Sequence, residues 1–297
     1  MEENNETTLV DMHIHSSHSD GHYSPEKIAE ICGQLNVQIH RIADHDTVKG
    51  HLETTLNSTE TKIKKAALEI STFNGMTIHL LGYFPEIERK KLEQLEQELQ
   101  PIQQQRSDFT RKLIEEAHEK SLWMHIDYEA LENKVRKTYD GKTTEPGKSA
   151  YVGSMQLAKE FLYLGYVDDI NKGLQLLKRE GTYREDQDHG YLNTIKGIEL
   201  LKKYEAQISL AHPHRIKLGE QKIEEEFMNE MIKQGIDAIE IAFGQTQEQK
   251  DRYINLARKA GIKITAGNDY HHPDKEPHRQ IGTNIEEKNI DLLLVNE

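Results

Sequence analysis

The segment Leu9-Val10-Asp11-Met12-His13-Ile14-His15 constrains the chain most, because from Val10 its apolar and polar side chains alternate with the two-residue period of a strand. That period turns His13 and His15 to one face, where two imidazoles suit a single metal ion. A pair of satisfied structural histidines is the other reading. Asp20 follows on a turn containing Ser and Gly, so its carboxylate can fold back toward the strand end.

A helix comes next. Ser24 is placed to cap it, Pro25 suits its first turn, and Glu26 favours its positive end. Ile28, Ile31, Cys32 and Leu35 then share one helical face, which makes Cys32 a core residue rather than a reactive one. A second strand, Val37 to Ala43, ends in Asp44-His45-Asp46. A helix from about Val48 to Asn57, a strand ending ALEIS and a strand TIHLLGY continue a strand–helix rhythm, which predicts a parallel α/β sheet or barrel.

The character changes at residue 86. Leu92, Leu95, Leu99 and Ile102 fall at three/four spacing in a stretch rich in Glu, Gln and Lys, predicting a long amphipathic helix broken near Pro101. The chain continues mainly helical to about Lys203, with a turn-rich loop from Tyr139 to Lys148. The strand rhythm returns at QISLA, AIEIA and ITAGN. The expected organisation is therefore an α/β domain from residues 1–85 and 205–297, interrupted by a helical subdomain over 86–204. The tail shows no obvious motif.

Composition bounds the function. A formal net charge of −13 weighs against a broad surface for duplex nucleic acid but leaves room for a small phosphorylated substrate held through cations. No apolar run is long enough to span a bilayer, and the acidic opening MEENNETTLV lacks a signal-peptide pattern. One cysteine excludes an internal disulfide framework and fits a reducing compartment, so a cytoplasmic protein is expected. Sixteen histidines exceed what packing ordinarily asks for.

Each return to a strand brings a ligand-type residue near its end: Glu69, His79, His212, and then Asp269 with His271. Functional groups converge at the carboxyl ends of strands in barrels and open α/β sheets. With His13, His15, Asp20 and His45, these ligands outnumber what one ion takes, so two or three ions sharing carboxylates are expected.

The motifs HIHSSHSDG, ADHD, LEIS, TIHLLGY, AHPHR and GNDYHH resemble, in order and spacing, those of the PHP (polymerase and histidinol phosphatase) phosphoesterases. The likeness is strongest to the stand-alone branch that acts on small phosphorylated nucleosides and short RNA ends, and QQQRSDFTRKLIEEAHEK resembles that branch's Arg-containing helix. The resemblance implies a distorted (β/α)7 barrel with three divalent ions, commonly Mn²⁺, with Zn²⁺ or Fe²⁺ as alternatives. It implies that His13, His15, Glu69 and Asp269 hold one ion. Glu69, His79 and His212 would hold a second, and Asp20, His45 and His271 a third. Asp11, Asp44 and Asp46 would accept the imidazole N–H protons that orient the ligands, and Asp46 is also a candidate catalytic residue.

The implied chemistry is hydrolysis of a phosphomonoester by hydroxide on the metal cluster, acting on a nucleoside 3′,5′-bisphosphate or the 5′ end of a short oligoribonucleotide. Arg215 is the first candidate to clamp the phosphate, with Arg106, Arg111 and His18 as further substrate contacts. A histidinol-phosphate or sugar-phosphate phosphatase and a catalytically silent, metal-bound regulatory module are the alternatives. No membrane partner is expected. The sequence departs from the family pattern at Ala43, where Thr is usual, and at Asn268 and Tyr270, all of which spare the ligands. The segment Lys148-Ser149-Ala150-Tyr151 replaces an Arg-Pro-His-type stretch and leaves the leaving group open.

Overall fold

A computed structural model describes residues 7–55, 61–136, 149–179, 188–216, 221–273 and 280–294. The loop Tyr139 to Lys148, the end of the expected helix beyond Thr55, and His278 lie outside the described residues.

The first half runs β1 (Thr7–Ile14), α1 (Pro25–Gln34), β2 (Ile39–Ile42), α2 (Lys49–Thr54), β3 (Lys62–Phe73) and β4 (Thr77–Glu88). Four helices follow: α3 (Arg89–Glu119), α4 (Tyr128–Arg136), α5 (Ser154–Tyr163) and α6 (Ile170–Arg179). The chain then forms β5 (Leu192–Asn193), α7 (Thr194–Lys203), β6 (Gln207–Leu210), α8 (Gln221–Gln234) and β7 (Ala238–Ala242). It ends with α9 (Gln247–Ala260), β8 (Lys263–Gly267) and β9 (Thr283–Glu286). Local chemistry sets the boundaries. Ser24 Oγ accepts the Lys27 N–H at the start of α1. At α9, Thr246 and Gln249 cap each other reciprocally and Gly261 closes the helix at φ +71°.

The strands form two sheets in a mixed α/β fold. One has the order β2-β1-β9 and the other β5-β3-β4-β6-β7-β8. Isolated bridges between Ile14 and Tyr270, and between His45 and Glu69, link the two sheets at their ends. The expected run of parallel strands holds for β1–β2 and β6–β7–β8, but β3 and β4 pair antiparallel. The reason is length: three residues separate them, and a parallel pair needs a crossover of a dozen or more. Gly75, at φ +74°, makes that turn. The tail also does more than the sequence suggested, since β9 adds an antiparallel edge to β1.

α3 corrects a second expectation. It runs unbroken through Pro101 for 31 residues. Pro101 and Gln97, whose carbonyl loses its helical donor, are both exposed, so water can satisfy that group. The apolar stripe on the other face keeps the helix continuous. Leu92, Leu95, Leu99 and Ile102 join the main hydrophobic core, whereas Leu113, Ile114 and Ala117 join a second cluster around Trp123 and Phe161. Between these two greasy ends the buried face of α3 turns polar, with Gln103, Arg106, Ser107 and Thr110. That polar stretch lies against the site.

Candidate metal centre

The ends of the strands gather nine side chains that are far apart in sequence. His13 is in β1 and His15 just follows it; Asp20 lies in the next loop and His45 after β2. Glu69 belongs to β3 and His79 to β4, while His212 follows β6, and Asp269 and His271 follow β8. All are buried except His79, which is partly exposed.

Eight of them fall into three overlapping groups of candidate ligands, and His212 adjoins these through Glu69. In the first, His13 Nε2 lies 3.0 Å from His15 Nε2, 3.2 Å from Glu69 Oε2 and 3.4 Å from Asp269 Oδ1. His15 Nε2 is 3.2 and 3.1 Å from the same two oxygens. In the second, Asp20 Oδ1 lies 3.3 Å from His271 Nε2 and 3.6 Å from His15 Nδ1, and Oδ2 lies 3.9 Å from His45 Nε2. The third centres on Glu69, whose Oε2 is 3.0 Å from His45 Nδ1 and whose Oε1 is 3.0 Å from His79 Nδ1. His212 Nε2 sits 3.0 Å from the same Oε1.

These residues fit a metal cluster. Bonds of about 2.1 Å at octahedral or tetrahedral angles put ligand atoms about 3.0–3.4 Å apart, the spacing found throughout the first group. Glu69 Oε2 and His15 Nδ1 are buried with no hydrogen-bond partner among the described residues, as expected of lone pairs meant for a cation. Imidazole and carboxylate together suit Zn²⁺, Mn²⁺ or Fe²⁺.

The backbone is strained where these groups meet. His212, Asp269 and Asp46 have φ of +28°, +51° and +52°. Asp tolerates this region; a histidine there is held by its surroundings.

Electrostatics keep the carboxylates ionised. Burial alone would raise Glu69, but the imidazoles of His45, His13 and His79 hold it well below the usual range. Asp20 is likewise held down against burial by His271 and His45, and Asp269 by His271, Arg215 and His13. Burial and the Arg215 charge push His212 down to about 3, leaving it neutral and available as a ligand.

No protein-family model matches the chain. A 5′-3′ exoribonuclease of Haemophilus influenzae is 23% identical over 275 residues, spanning 90% of this chain and 91% of its own length. A Bifidobacterium adolescentis protein regarded as a metal-dependent phosphoesterase superposes with a TM-score of 0.70 at 19% identity, covering 95% and 93% of the two chains. An amidohydrolase of Chromobacterium violaceum, whose structure holds sulfate and no metal, gives a TM-score of 0.71 at 17% identity over 93% and 91%.

The chain shares its fold with both of these solved proteins. The α/β architecture expected from the motifs agrees with that likeness.

A cavity of about 520 Å³ opens in front of the ligands, lined by Asp20, His45, His79, His212, Arg106 and Arg215. Its remaining wall includes Tyr191, Lys178, Met155, Leu174, Leu177 and Ile216. Arg215 sits on the short turn directly after His212 and donates from Nη1 to Asp269 Oδ2 at 2.5 Å. Arg106 donates to Asp46 Oδ2 and, at 3.3 Å, to Ser71 Oγ. Its guanidinium lies 4.0 Å from the Tyr151 ring and 5.1 Å from that of Tyr191.

Two expected substrate contacts do not line this cavity. Arg111 donates to Glu129 at 2.7 Å and stacks over Tyr128. His18 is buried, its ring against Gly50 and its Nε2 3.9 Å from Glu53.

The three supporting aspartates also differ from expectation, because their partners are not imidazoles. Asp11 accepts the backbone N–H groups of His13, Asn268 and Gly282. Asp44 accepts from Ser16 N and from the hydroxyls of Ser16 and Ser19, holding the loop that carries Asp20. Asp46 takes Arg106 and the Ser71 N–H, which ties α3 to β3 beside Glu69. Short aspartates next to ligands reach backbone more readily than a ring several ångströms away.

Sequence reading passed over Gln103, Tyr151, Tyr191 and Glu240. Gln103 Nε2 donates to Asp46 O and Glu96 Oε1. Glu240 carried a legible signal, a carboxylate in the middle of the wholly buried strand AIEIA. The others sit on ordinary helix or loop positions with no such mark.

Proposed function

We propose that the protein is a PHP-type, metal-dependent phosphoesterase that hydrolyses a phosphomonoester of a small nucleotide, a nucleoside 3′,5′-bisphosphate or the 5′ end of a short oligoribonucleotide. The observation that carries this reading is the set of three overlapping ligand groups, two of them sharing Glu69, beside a cavity that also holds Arg106 and Arg215. The likeness to an exoribonuclease supports the nucleotide part.

Three divalent ions, Mn²⁺ foremost, would be held by His13, His15, Glu69 and Asp269, by Glu69, His79 and His212, and by Asp20, His45 and His271. When bound, such ions supply Lewis acidity and an activated water for attack on phosphorus. The protein's own groups do the rest. Arg215, anchored on Asp269 at the cavity wall, neutralises phosphate oxygens as charge builds on them. Arg106, fixed by Asp46 and flanked by two tyrosines, presents a second cation. Asp46 acts through Arg106, and Asp44 and Asp11 through the loops that they fasten. The apolar wall of Met155, Leu174, Leu177 and Ile216 excludes water and accepts the organic part of the substrate. Residues 1–85 and 205–297 form the distorted (β/α)7 barrel in this reading, with 86–204 covering the substrate.

The test is a panel of phosphoesters assayed with Mn²⁺: nucleoside bisphosphates, 5′-phosphorylated oligoribonucleotides, histidinol phosphate and sugar phosphates. Fastest release from the nucleotides is expected, and a non-nucleotide preference would redirect the assignment. Asp269→Asn and His15→Ala should abolish turnover while the far-ultraviolet circular dichroism stays native. Hydrolysis persisting in both variants would remove the metal mechanism.

A further inference from the structure

Glu240 is fully buried in β7 and takes part in none of the three ligand groups. Its two oxygens are divided between two candidate ligands from different strands. Oε1 lies 2.8 Å from His13 Nδ1, and Oε2 accepts the backbone N–H of His212 at 2.6 Å. Both imidazoles meet on the other side at one carboxylate: His13 Nε2 is 3.2 Å from Glu69 Oε2, and His212 Nε2 is 3.0 Å from Glu69 Oε1. The two rings are nearly parallel, 5.7 Å apart at 21°. Glu69 thus meets both rings, while Glu240 holds the far side of the His13 ring and the backbone of His212.

Each half of this frame has a physical job. An acceptor on Nδ1 fixes the proton there and leaves Nε2 as the lone pair, since a neutral imidazole carries one proton. On the His212 side the acceptor meets a backbone N–H at a residue with φ +28°, a conformation that side chains avoid unless contacts enforce it. The register reserves room for the arrangement. A Cβ on Gly267 would fall 2.5 Å from His13 Cβ and 3.1 Å from Glu240 Oε1, so only glycine lets β8 pass beside the pair. Gln245 Nε2 donates to the Glu240 carbonyl at 3.1 Å, fastening the strand end that presents the side chain.

We infer that Glu240 is a positioning residue that presets His13 and His212 together, so that the two ion sites sharing Glu69 form as a unit. The inference rests on the metal reading above and adds what holds the ligands in place before an ion arrives. Removing Glu240 should weaken binding without removing any ligand.

The experiment titrates metal-free wild type, Glu240→Ala, Glu240→Gln and the surface control Glu205→Gln with Mn²⁺, counting free ion by electron paramagnetic resonance. Circular dichroism and melting without metal monitor the fold. Glu240→Ala should bind about 10–100-fold more weakly. Glu240→Gln, with one acceptor oxygen for two donors, should fall between it and wild type, and Glu205→Gln should match wild type. In the Zn²⁺-loaded protein, ¹⁵N spectra should show a His13 Nδ1 proton protected from exchange in wild type and lost in Glu240→Ala, a signature that a merely structural role does not move. If Glu240→Ala fails to fold, Glu240→Gln decides. Wild-type affinity in the folded Gln variant overturns the inference while leaving the metal reading intact. Wild type that takes up no Mn²⁺ overturns both.

Discussion

Replacing Arg106 with methionine should cost the fold several kilocalories per mole, because it strands a buried charge. Asp46 is wholly buried, and its two oxygens have separate donors: the Ser71 N–H at 2.9 Å serves Oδ1, and Arg106 serves Oδ2. Methionine fills much of the volume but leaves Oδ2 facing apolar side chain. Breaking a buried pair from one side destabilises by about 3–5 kcal/mol. Losing the guanidinium over the Tyr151 ring adds about 0.5–2 kcal/mol. The companion change Asp46→Asn removes the stranded charge and suits the positive φ of that position. The double variant Arg106→Met with Asp46→Asn should therefore be more stable than Arg106→Met alone, with a coupling of about 0.5–3 kcal/mol. Urea unfolding in a chelator, followed by circular dichroism and by fluorescence of Trp123, measures all four corners of the cycle. The reasoning fails if Arg106→Met loses less than about 1 kcal/mol, or if the double variant is no more stable than the single.

Metal should stabilise the native state: free Mn²⁺ at 100 times its dissociation constant adds about 2.7 kcal/mol per site. A calorimetric melt indifferent to Mn²⁺ and chelator would count against the metal centre. Cys32 is packed among Ile14, Ile28 and Val37, and burial pushes its thiol up to about 12. Ellman's reagent should find no reactive thiol in the native protein and one per chain after denaturation, and rapid native labelling would contradict that packing. Burial lowers His51, whose Nε2 lies 2.9 and 3.0 Å from the carbonyls of Ile42 and Ala67. The neutral ring's contribution is present above the unfolded value near 6.5 and is lost as pH falls below it, where the unfolded chain takes up the proton first. His51→Gln should show a shallower loss of stability between pH 6.5 and 5 than wild type, and parallel profiles would refute the assignment.

The sequence by itself determined the parts of this protein that depend on short-range rules. Period-two alternation marked β1, the Ser24-Pro25-Glu26 start marked α1, and leucine spacing marked the apolar face of α3. The nine candidate ligands were legible for the same reason: each lies in or near a strand, a position that local pattern can find. Partnership was not legible. Whether Asp11 meets an imidazole or a backbone amide, whether Arg106 or Arg111 faces the cavity, and which histidines share Glu69 depend on residues up to 271 positions apart. The antiparallel turn from β3 to β4 and the continuity of α3 past Pro101 were likewise settled by pairing and packing across the molecule. Hydrogen bonds and buried charges are decided by what lies within about 3 Å, and distance in space is what a linear order of residues does not carry. Glu240 stands between the two cases. A carboxylate inside a buried strand announces that something must satisfy it, and only the assembled sheets name His13 and His212.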